Sequence, residues 1–338
     1  MAATIRDVAR AAGVGLGTVS RVLNLSPLVS AATRQRVLDV IAELHYVPSR
    51  LAHTLIAGKT RTVATIAPFF TRPSVIERLR GIEATLAGHG YNLVVFNVES
   101  AERRNACLRD VPRADRCDGV LMISLPPRGD EIAALHATKL PVVLVDTSAS
   151  GLPGVCIDDV AAGELATRTL VELGHRRIGF IGDAQAYTAT FNFTSSWERH
   201  QGFRHVLQAA GLAVRPAYEG FGFHGRYEAR VLAREMLLLA EPPTAIFAAS
   251  DTQALGILEA TRDLGLTVPA HLSIIGFDDI DIAEYLGLTT VRQPLFESGA
   301  HGAELILSMI AGHRPAPVTA YLPVELVVRG STAPPASA

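Results

Sequence analysis

The residues with ligand-binding chemistry stand at the ends of apolar runs. Asp146 follows Pro141–Val145, Asp278 follows Ser273–Phe277, Ser250 and Asp251 follow Ala245–Ala249, and Gln293 follows Thr289–Arg292. If these runs are parallel strands, the polar residues stand at their carboxyl ends, where the ligand crevice of an α/β sheet opens. Carboxylates, a hydroxyl and an amide in one crevice offer paired acceptors and donors to the hydroxyls of a sugar or a comparably polar molecule. Phe70 and Phe221 are the expected stacking residues, with Phe223 as an alternate. Asp251 and Asp279 would serve equally as helix caps or hinge partners, and Phe221 as plain core. His175 is expected to fix a turn. No nucleophile–base pair, phosphate loop or metal-spaced cluster accompanies these residues, so neither an enzyme, a metal nor a cofactor is expected. Cys107, Cys117 and Cys156 are odd in number, which argues against a disulfide framework and fits a reduced, cytoplasmic setting.

The elements that would position these residues begin at Thr62. Strand-like runs at Val63–Ala67, Leu93–Val98, Val120–Ile123, Val142–Val145, Val155–Ile157, Ile178–Ile181, Ala245–Ala249, Ser273–Phe277, Thr289–Arg292 and Pro323–Val328 alternate with helical stretches such as Val75–Gly88 and Thr252–Asp263. Repeated βα units predict doubly wound parallel sheets. With 338 residues, more than one core is expected. No apolar run reaches the length of about 18 residues that a membrane span needs, and Arg6, Asp7 and Arg10 lie where a secretory leader would be apolar.

The first sixty residues are different. Thr4 with Asp7 forms a capping pattern before Ile5, Val8, Ala9 and Ala12, and Gly13 interrupts before a second stripe of Leu16, Val19, Val22 and Leu23. Helix, glycine turn, helix is the unit that presents a recognition helix to the major groove of DNA. Gly13-Val14-Gly15-Leu16-Gly17 is not a dinucleotide loop, because the spacing is G-x-G-x-G and no strand precedes it. Ser30 caps a third helix from Ala31 to about Leu44. Residues 1–60 carry a net charge of +4 and the rest −6, a basic head on an acidic body. The segment between Pro48 and Gly58 reads as a helix of about nine residues, too short to be stable alone. It is expected to order only against a partner copy and DNA.

The run Thr4 to Gly58 resembles the DNA-binding head of the lactose-repressor/galactose-repressor (LacI/GalR) family of transcription regulators. The resemblance is carried by Asp7-Val8-Ala9, Ala12-Gly13-Val14, Thr18-Val19-Ser20-Arg21-Val22-Leu23-Asn24, Val29-Ser30, Thr33-Arg34, Tyr46-Val47-Pro48 and Leu51-Ala52. It implies that Leu16, Gly17 and Arg21 face base edges, that Thr18 and Ser20 approach phosphates, and that Leu55 wedges into the minor groove. Thr4, Asn24, Ser30, Thr33, Arg34, Tyr46, Arg50 and Ala52 complete the implied DNA-facing set. Arg21 can take guanine bidentately, or bind a phosphate. Gly15 replaces the usual Ser/Thr cap, which makes Gly15-Leu16-Gly17 the least typical part of the head.

The body resembles the same family's regulatory core through Asp118-Gly119-Val120, Leu173-Gly174-His175-Arg176-Arg177-Ile178-Gly179, Ser250-Asp251-Thr252-Gln253-Ala254-Leu255-Gly256, Ile275-Gly276-Phe277-Asp278-Asp279 and Thr290-Val291-Arg292-Gln293-Pro294. This implies a head at 1–47, a hinge at 48–60 and a periplasmic-binding-protein-like core at 61–331. The core would divide into an N-lobe (61–157 and 290–318) and a C-lobe (158–289 and 319–331), followed by a disordered tail at 332–338. Arg199 matches the family's ligand-anchoring arginine. Ser250 stands where many sugar-responsive members have Asn, which points to a bulkier or less common ligand.

The resemblance implies a homodimer on a pseudo-palindromic operator, controlled by a small effector expected to be a sugar or sugar derivative. A nucleobase or other non-sugar effector is the alternative, and a solute-binding protein a more distant one.

Overall fold

The computed structural model describes residues 3–23, 26–46, 59–185 and 190–336. Contacts divide the chain into two units, 1–60 and 61–338. The expected hinge helix lies outside the described residues, and with it Arg50, Ala52 and Leu55, as does Asn24.

In the first unit, α1 (Ile5–Ala11), α2 (Leu16–Leu23) and α3 (Ala31–Glu43) close around Val8, Ala9, Ala12, Val19, Val22, Val37 and Tyr46. The Asp7 carboxylate accepts from the Thr4 backbone N–H at 3.0 Å and from its hydroxyl at 2.6 Å, which starts α1. Gly13 takes φ +62°, the left-handed turn that separates α1 from α2. Ser30 accepts the Thr33 N–H at 3.3 Å as the cap of α3. Arg34 donates to the Ser26 carbonyl at 2.6 Å and so ties the loop before α3 to that helix.

The second unit holds two six-stranded sheets. The first lobe runs β1 (Thr62–Pro68), α4 (Pro73–Gly88), β2 (Asn92–Val98), α5 (Ala101–Asp110), β3 (Gly119–Ile123), α6 (Gly129–Ala137), β4 (Val142–Val145) and β5 (Gly154–Cys156). The chain then enters the second lobe through α7 (Asp159–Glu172), β6 (Ile178–Asp183), α8 (Ser195–Ala209), β7 (Glu219–Gly222), α9 (Arg226–Leu237), β8 (Ala245–Ala248), α10 (Asp251–Asp263), β9 (Ser273–Asp278), α11 (Asp281–Tyr285) and β10 (Thr289–Arg292). It returns to the first lobe with α12 (Leu295–Ile310) and β11 (Thr319–Tyr321), and ends in the second with β12 (Glu325–Val327). The strand orders are β11-β5-β4-β3-β1-β2 and β12-β10-β9-β8-β6-β7, parallel throughout except β12 against β10. Apolar clusters cover both faces of each sheet, as parallel sheets require.

Three expectations need correction. β10 pairs with β9 from Thr289↔Ile275 to Arg292↔Asp278, so the chain leaves the second lobe after Arg292, not after residue 289. β11 pairs with β5, so the return comes after Tyr321, not after 318. In both cases the deciding factor is an open strand edge, whose backbone groups the next extended run satisfies. Residues 332–336 are docked rather than a disordered tail. The Ala333 carbonyl accepts from Ser273 Oγ at 3.0 Å and contacts His175 Nε2 at 2.9 Å, while Thr332 bonds Thr289.

His175 therefore fixes structure, with Thr244 on its other nitrogen at 2.9 Å. Burial holds its imidazole below the ordinary histidine value, against the Ala333 carbonyl. A histidine whose native pKa is depressed adds stability that is present above the unfolded pKa of about 6.5 and is lost as pH falls through the native one. Wild type should lose more Tm than His175→Gln between pH 7 and 5; an equal loss in both proteins would contradict this role. Among the described residues no helix is long and apolar enough to cross a membrane.

Candidate functional site

The sheets of the two lobes bring their strand carboxyl ends to one cleft. It is lined by Arg72, Arg78, Ser124, Asp146, Asp183, Phe193, Ser196, Arg199, His224, Ser250, Gln253, Asp278 and Gln293, among others. Five residues in left-handed backbone conformations, Phe69, Ser124, Asp146, Asp278 and Asp279, sit where β1, β3, β4 and β9 end. Such conformations persist where the surroundings over-determine them, and they gather at ligand sites.

One chain of polar contacts crosses the cleft. Arg78 of α4 pairs with Asp146 and donates to Gln293 Oε1 at 2.8 Å, and Gln293 Nε2 donates to Asp278. Ser124 Oγ donates to the other Asp146 oxygen at 2.5 Å. A second cluster is built by α7 and α8. Arg199 Nε donates to Asp159 Oδ1 at 2.7 Å and Nη1 to the Ala249 carbonyl at 2.7 Å, with the guanidinium 3.6 Å from the Phe277 ring centroid. Among the described residues, Nη2 of Arg199 has no hydrogen-bond partner, and this side chain lines the cleft. A third cluster centres on Asp183, which accepts from Gln253 Nε2 at 3.1 Å and lies 3.2 Å from His224 Nδ1.

The electrostatics follow from burial. Burial pushes Asp159 up to about 7, with Arg199 opposing it. Asp278 is also raised by burial, against Arg199 and Arg78. Asp183 is lowered, because His224 and the more distant arginines outweigh its desolvation. The cleft is partly open to solvent and holds about 60 Å³ of water-accessible space.

Asp146, Arg199, Ser250, Asp278 and Gln293 are thus gathered in one lining, as the sequence indicated. Phe70 and Phe221 are not part of it. Phe70 is 43% exposed and gives its N–H to Asn97, and Phe221 lies on edge strand β7, edge-on to His200 at 5.0 Å. The alternate Phe223 is 66% exposed and also absent from the lining. Among the described residues, the phenylalanine in the lining is Phe193, stacked on Phe191 at 5.1 Å, and Phe191 is in turn buried in the first lobe's core. Ser250 is committed to structure: its Oγ accepts the Gln253 N–H at 3.2 Å and donates to Gln253 Oε1 at 3.1 Å.

Asp251 accepts from Thr290 Oγ1 at 2.7 Å and from the Ile280 N–H at 3.0 Å, which makes it a brace between α10, β10 and the loop after β9. Burial pushes Asp251 up to about 8, with Asp278 adding to the effect. Asp279 holds Arg292 at 2.6 Å and Arg329 at 2.7 Å, tying the turn after β9 to β10 and to the chain after β12. Arg78, Asp159, Asp183, His224 and Gln253 were not anticipated. Arg78 had a legible signal, since it falls with Val75 and Ile82 on the buried stripe of α4, where an unpaired charge is not tolerated.

On the head, Leu16, Gly17 and Arg21 are exposed on α2 while Val19 and Val22 are buried behind them; Thr18 and Ser20 are half-buried. Thr4, Ser30 and Thr33 serve as caps, Arg34 as a loop tie, and Tyr46 is packed in the core rather than displayed.

Residues 4–49 match the model of bacterial regulatory proteins of the lacI family, and residues 167–332 match a periplasmic binding protein-like domain. The HTH-type transcriptional repressor CytR of Escherichia coli K12 is 34% identical over 336 residues, covering 98% of this chain and 96% of its own. A transcriptional regulator CelR–cellobiose complex superposes with a TM-score of 0.72 at 32% identity, over 97% of this chain and 99% of that one. The lac repressor dimer bound to operator and the anti-inducer ONPF gives 0.86 at 26% identity, over 98% and 100%. These relatives are transcription regulators, not enzymes. An exposed recognition helix and a two-lobed core with a charged cleft belong together here: the chain is a member of the lacI family of bacterial regulatory proteins.

Proposed function

We propose that the protein is a cytoplasmic, homodimeric repressor whose operator affinity is set by a sugar or sugar derivative held between the lobes. The observation that carries this is the cross-cleft chain Arg78–Gln293–Asp278 beside Arg199, whose Nη2 has no hydrogen-bond partner among the described residues and whose side chain lines the cleft. A ligand that inserts its hydroxyls into that chain binds one lobe arrangement better than another, and differential affinity is what shifts a two-state equilibrium. Leu16, Gly17 and Arg21 would read bases and Thr18 and Ser20 phosphates. Thr4, Asn24, Ser30, Thr33, Arg34, Arg50, Ala52 and Leu55 would complete the DNA contacts.

Dimerisation is supported by the open edges of both sheets, where β2 exposes Val94 and Val95 and β7 exposes Phe221. A nucleobase is the second reading, favoured by the aromatic side chain of Phe193 in the lining. A thermal-shift panel of sugars, polyols, nucleobases and nucleosides separates them, since a ligand of the native fold raises Tm by mass action. A sugar that raises Tm in wild type but not in Asp278→Ala supports the proposal; hits confined to nucleobases would replace it.

A further inference from the structure

A second hollow lies at the other end of β4. Asp146, just past that strand's carboxyl end, lines the cleft, whereas Val142 at its start lines a pocket between the C-terminal ends of α6 and α12. One part of this hollow, about 580 Å³, is bordered by His136, Lys139, Met309, His313 and Arg314. The adjoining part, about 200 Å³, shares His136, Met309 and Arg314 and is floored by apolar side chains such as Leu152. Together they reach the size of small-molecule sites, roughly 300–1,000 Å³. Among the described residues, four basic side chains border the hollow and no carboxylate does.

Basic residues near helix C-termini commonly offset the helix dipole. That accounts for His136 in the last turn of α6 and for His313, whose Nδ1 meets the Ser308 carbonyl at 3.1 Å. It does not account for Lys139 or Arg314, which form no ion pair or hydrogen bond through their side chains among the described residues. Lys139 also takes φ +60°, two residues beyond the end of α6, where glycine is the unstrained choice. A lysine kept in that conformation holds its ammonium at the rim of a hollow with an apolar floor.

The geometry points to a second ligand site, distinct from the cleft, for a small amphipathic organic anion: a carboxylate or phosphate held by Lys139 and Arg314, with an apolar body lying against Met309 and Leu152. Arg314 can grip such a head bidentately, and Lys139 as a point charge. The site has a physical line to the cleft. α12 begins two residues after Gln293 and ends at the pocket, so an anion there grips the far end of the element that carries the cross-cleft amide.

Phenyl phosphate is a suitable probe, with phenol as its uncharged counterpart. The chain has four methionines, and labelling their methyl groups with 13C reports separately on Met309 in the pocket and on Met122 and Met236 in the two lobe cores. Full-length protein titrated with phenyl phosphate should show a saturable shift of the Met309 signal, assigned with Met309→Leu, while Met122 and Met236 stay in place. Phenol should need at least tenfold more, and Lys139→Ala with Arg314→Ala should weaken the anion at least tenfold. Neither substitution touches a buried group, so folding is checked simply by the unchanged Met122 and Met236 signals. An unmoved Met309 signal would overturn the site, as would phenol matching phenyl phosphate or undiminished binding by the double variant.

Discussion

Arg199→Ala is expected to destabilise the core by about 3–5 kcal/mol, the usual consequence of stranding one member of a buried ion pair, and to abolish the Tm rise with effector. Asp159 is the stranded group. It is 6% exposed, and burial already holds its carboxyl up to about 7 even with the guanidinium 2.7 Å away. A carboxylate whose native pKa lies above its unfolded value gives stability that is fully present below about pH 3.9 and is lost as pH rises through the native pKa. Removing Arg199 raises that pKa further, so the penalty should be larger at pH 8 than at pH 6 in urea unfolding. Asp159→Asn in the Arg199→Ala background should recover most of the stability but not the effector response, because the anchoring N–H groups are still missing. A penalty equal at both pH values would mean that Asp159 is not what Arg199 holds.

The second large effect comes from a residue with no side chain. α7 and α8 cross so closely at Gly163 that a Cβ there would land inside the Arg199 carbonyl, and α4 and α12 cross in the same way at Gly299, against the Arg78 carbonyl. Each crossing thus sets the depth at which one cleft arginine is held. Gly163→Val should force α8 outward, separate Arg199 from Asp159 and lower stability by about 2–4 kcal/mol, overpacking together with a weakened ion pair. Gly88→Ala, at an open position near the end of α4, is the control and should be neutral or stabilising by a few tenths of a kcal/mol. Guanidinium unfolding measures both. If Gly163→Val were as well tolerated as Gly88→Ala, the crossing would not fix the site.

Much of the architecture was legible because its signal is local. The strand Val142–Val145 is uniformly apolar and buried, and the cap of α3 at Ser30 is a side chain next to the element it starts. Thr319–Tyr321 was not legible: one half-buried and two exposed residues become a strand only because β5 offers an open edge far away in sequence. The tail was misread for the same reason, since nothing in Thr332-Ala333 announces that His175 and Ser273 need a carbonyl. In the cleft, residues at strand ends were readable and residues on helices less so. Arg78 and Gln253 arrive from α4 and α10, and Phe193 from a segment that follows β6, so a search along strand ends passes over them. Phe70 and Phe221 failed because an aromatic near a strand end faces either the crevice or the outside, and composition does not decide which.

The proposed repressor binds DNA sequence-specifically through its head, under control of the cleft. Repeated selection of full-length protein on random duplex DNA, read out by sequencing and by anisotropy at about 50 and 200 mM salt, tests it most directly. One pseudo-palindromic sequence should be enriched, affinity should fall steeply between the two salt concentrations as released counterions require, and Arg21→Ala should lose preference at one symmetric pair of positions. Recovery of no shared sequence, or a preference that Arg21→Ala leaves intact, would contradict it.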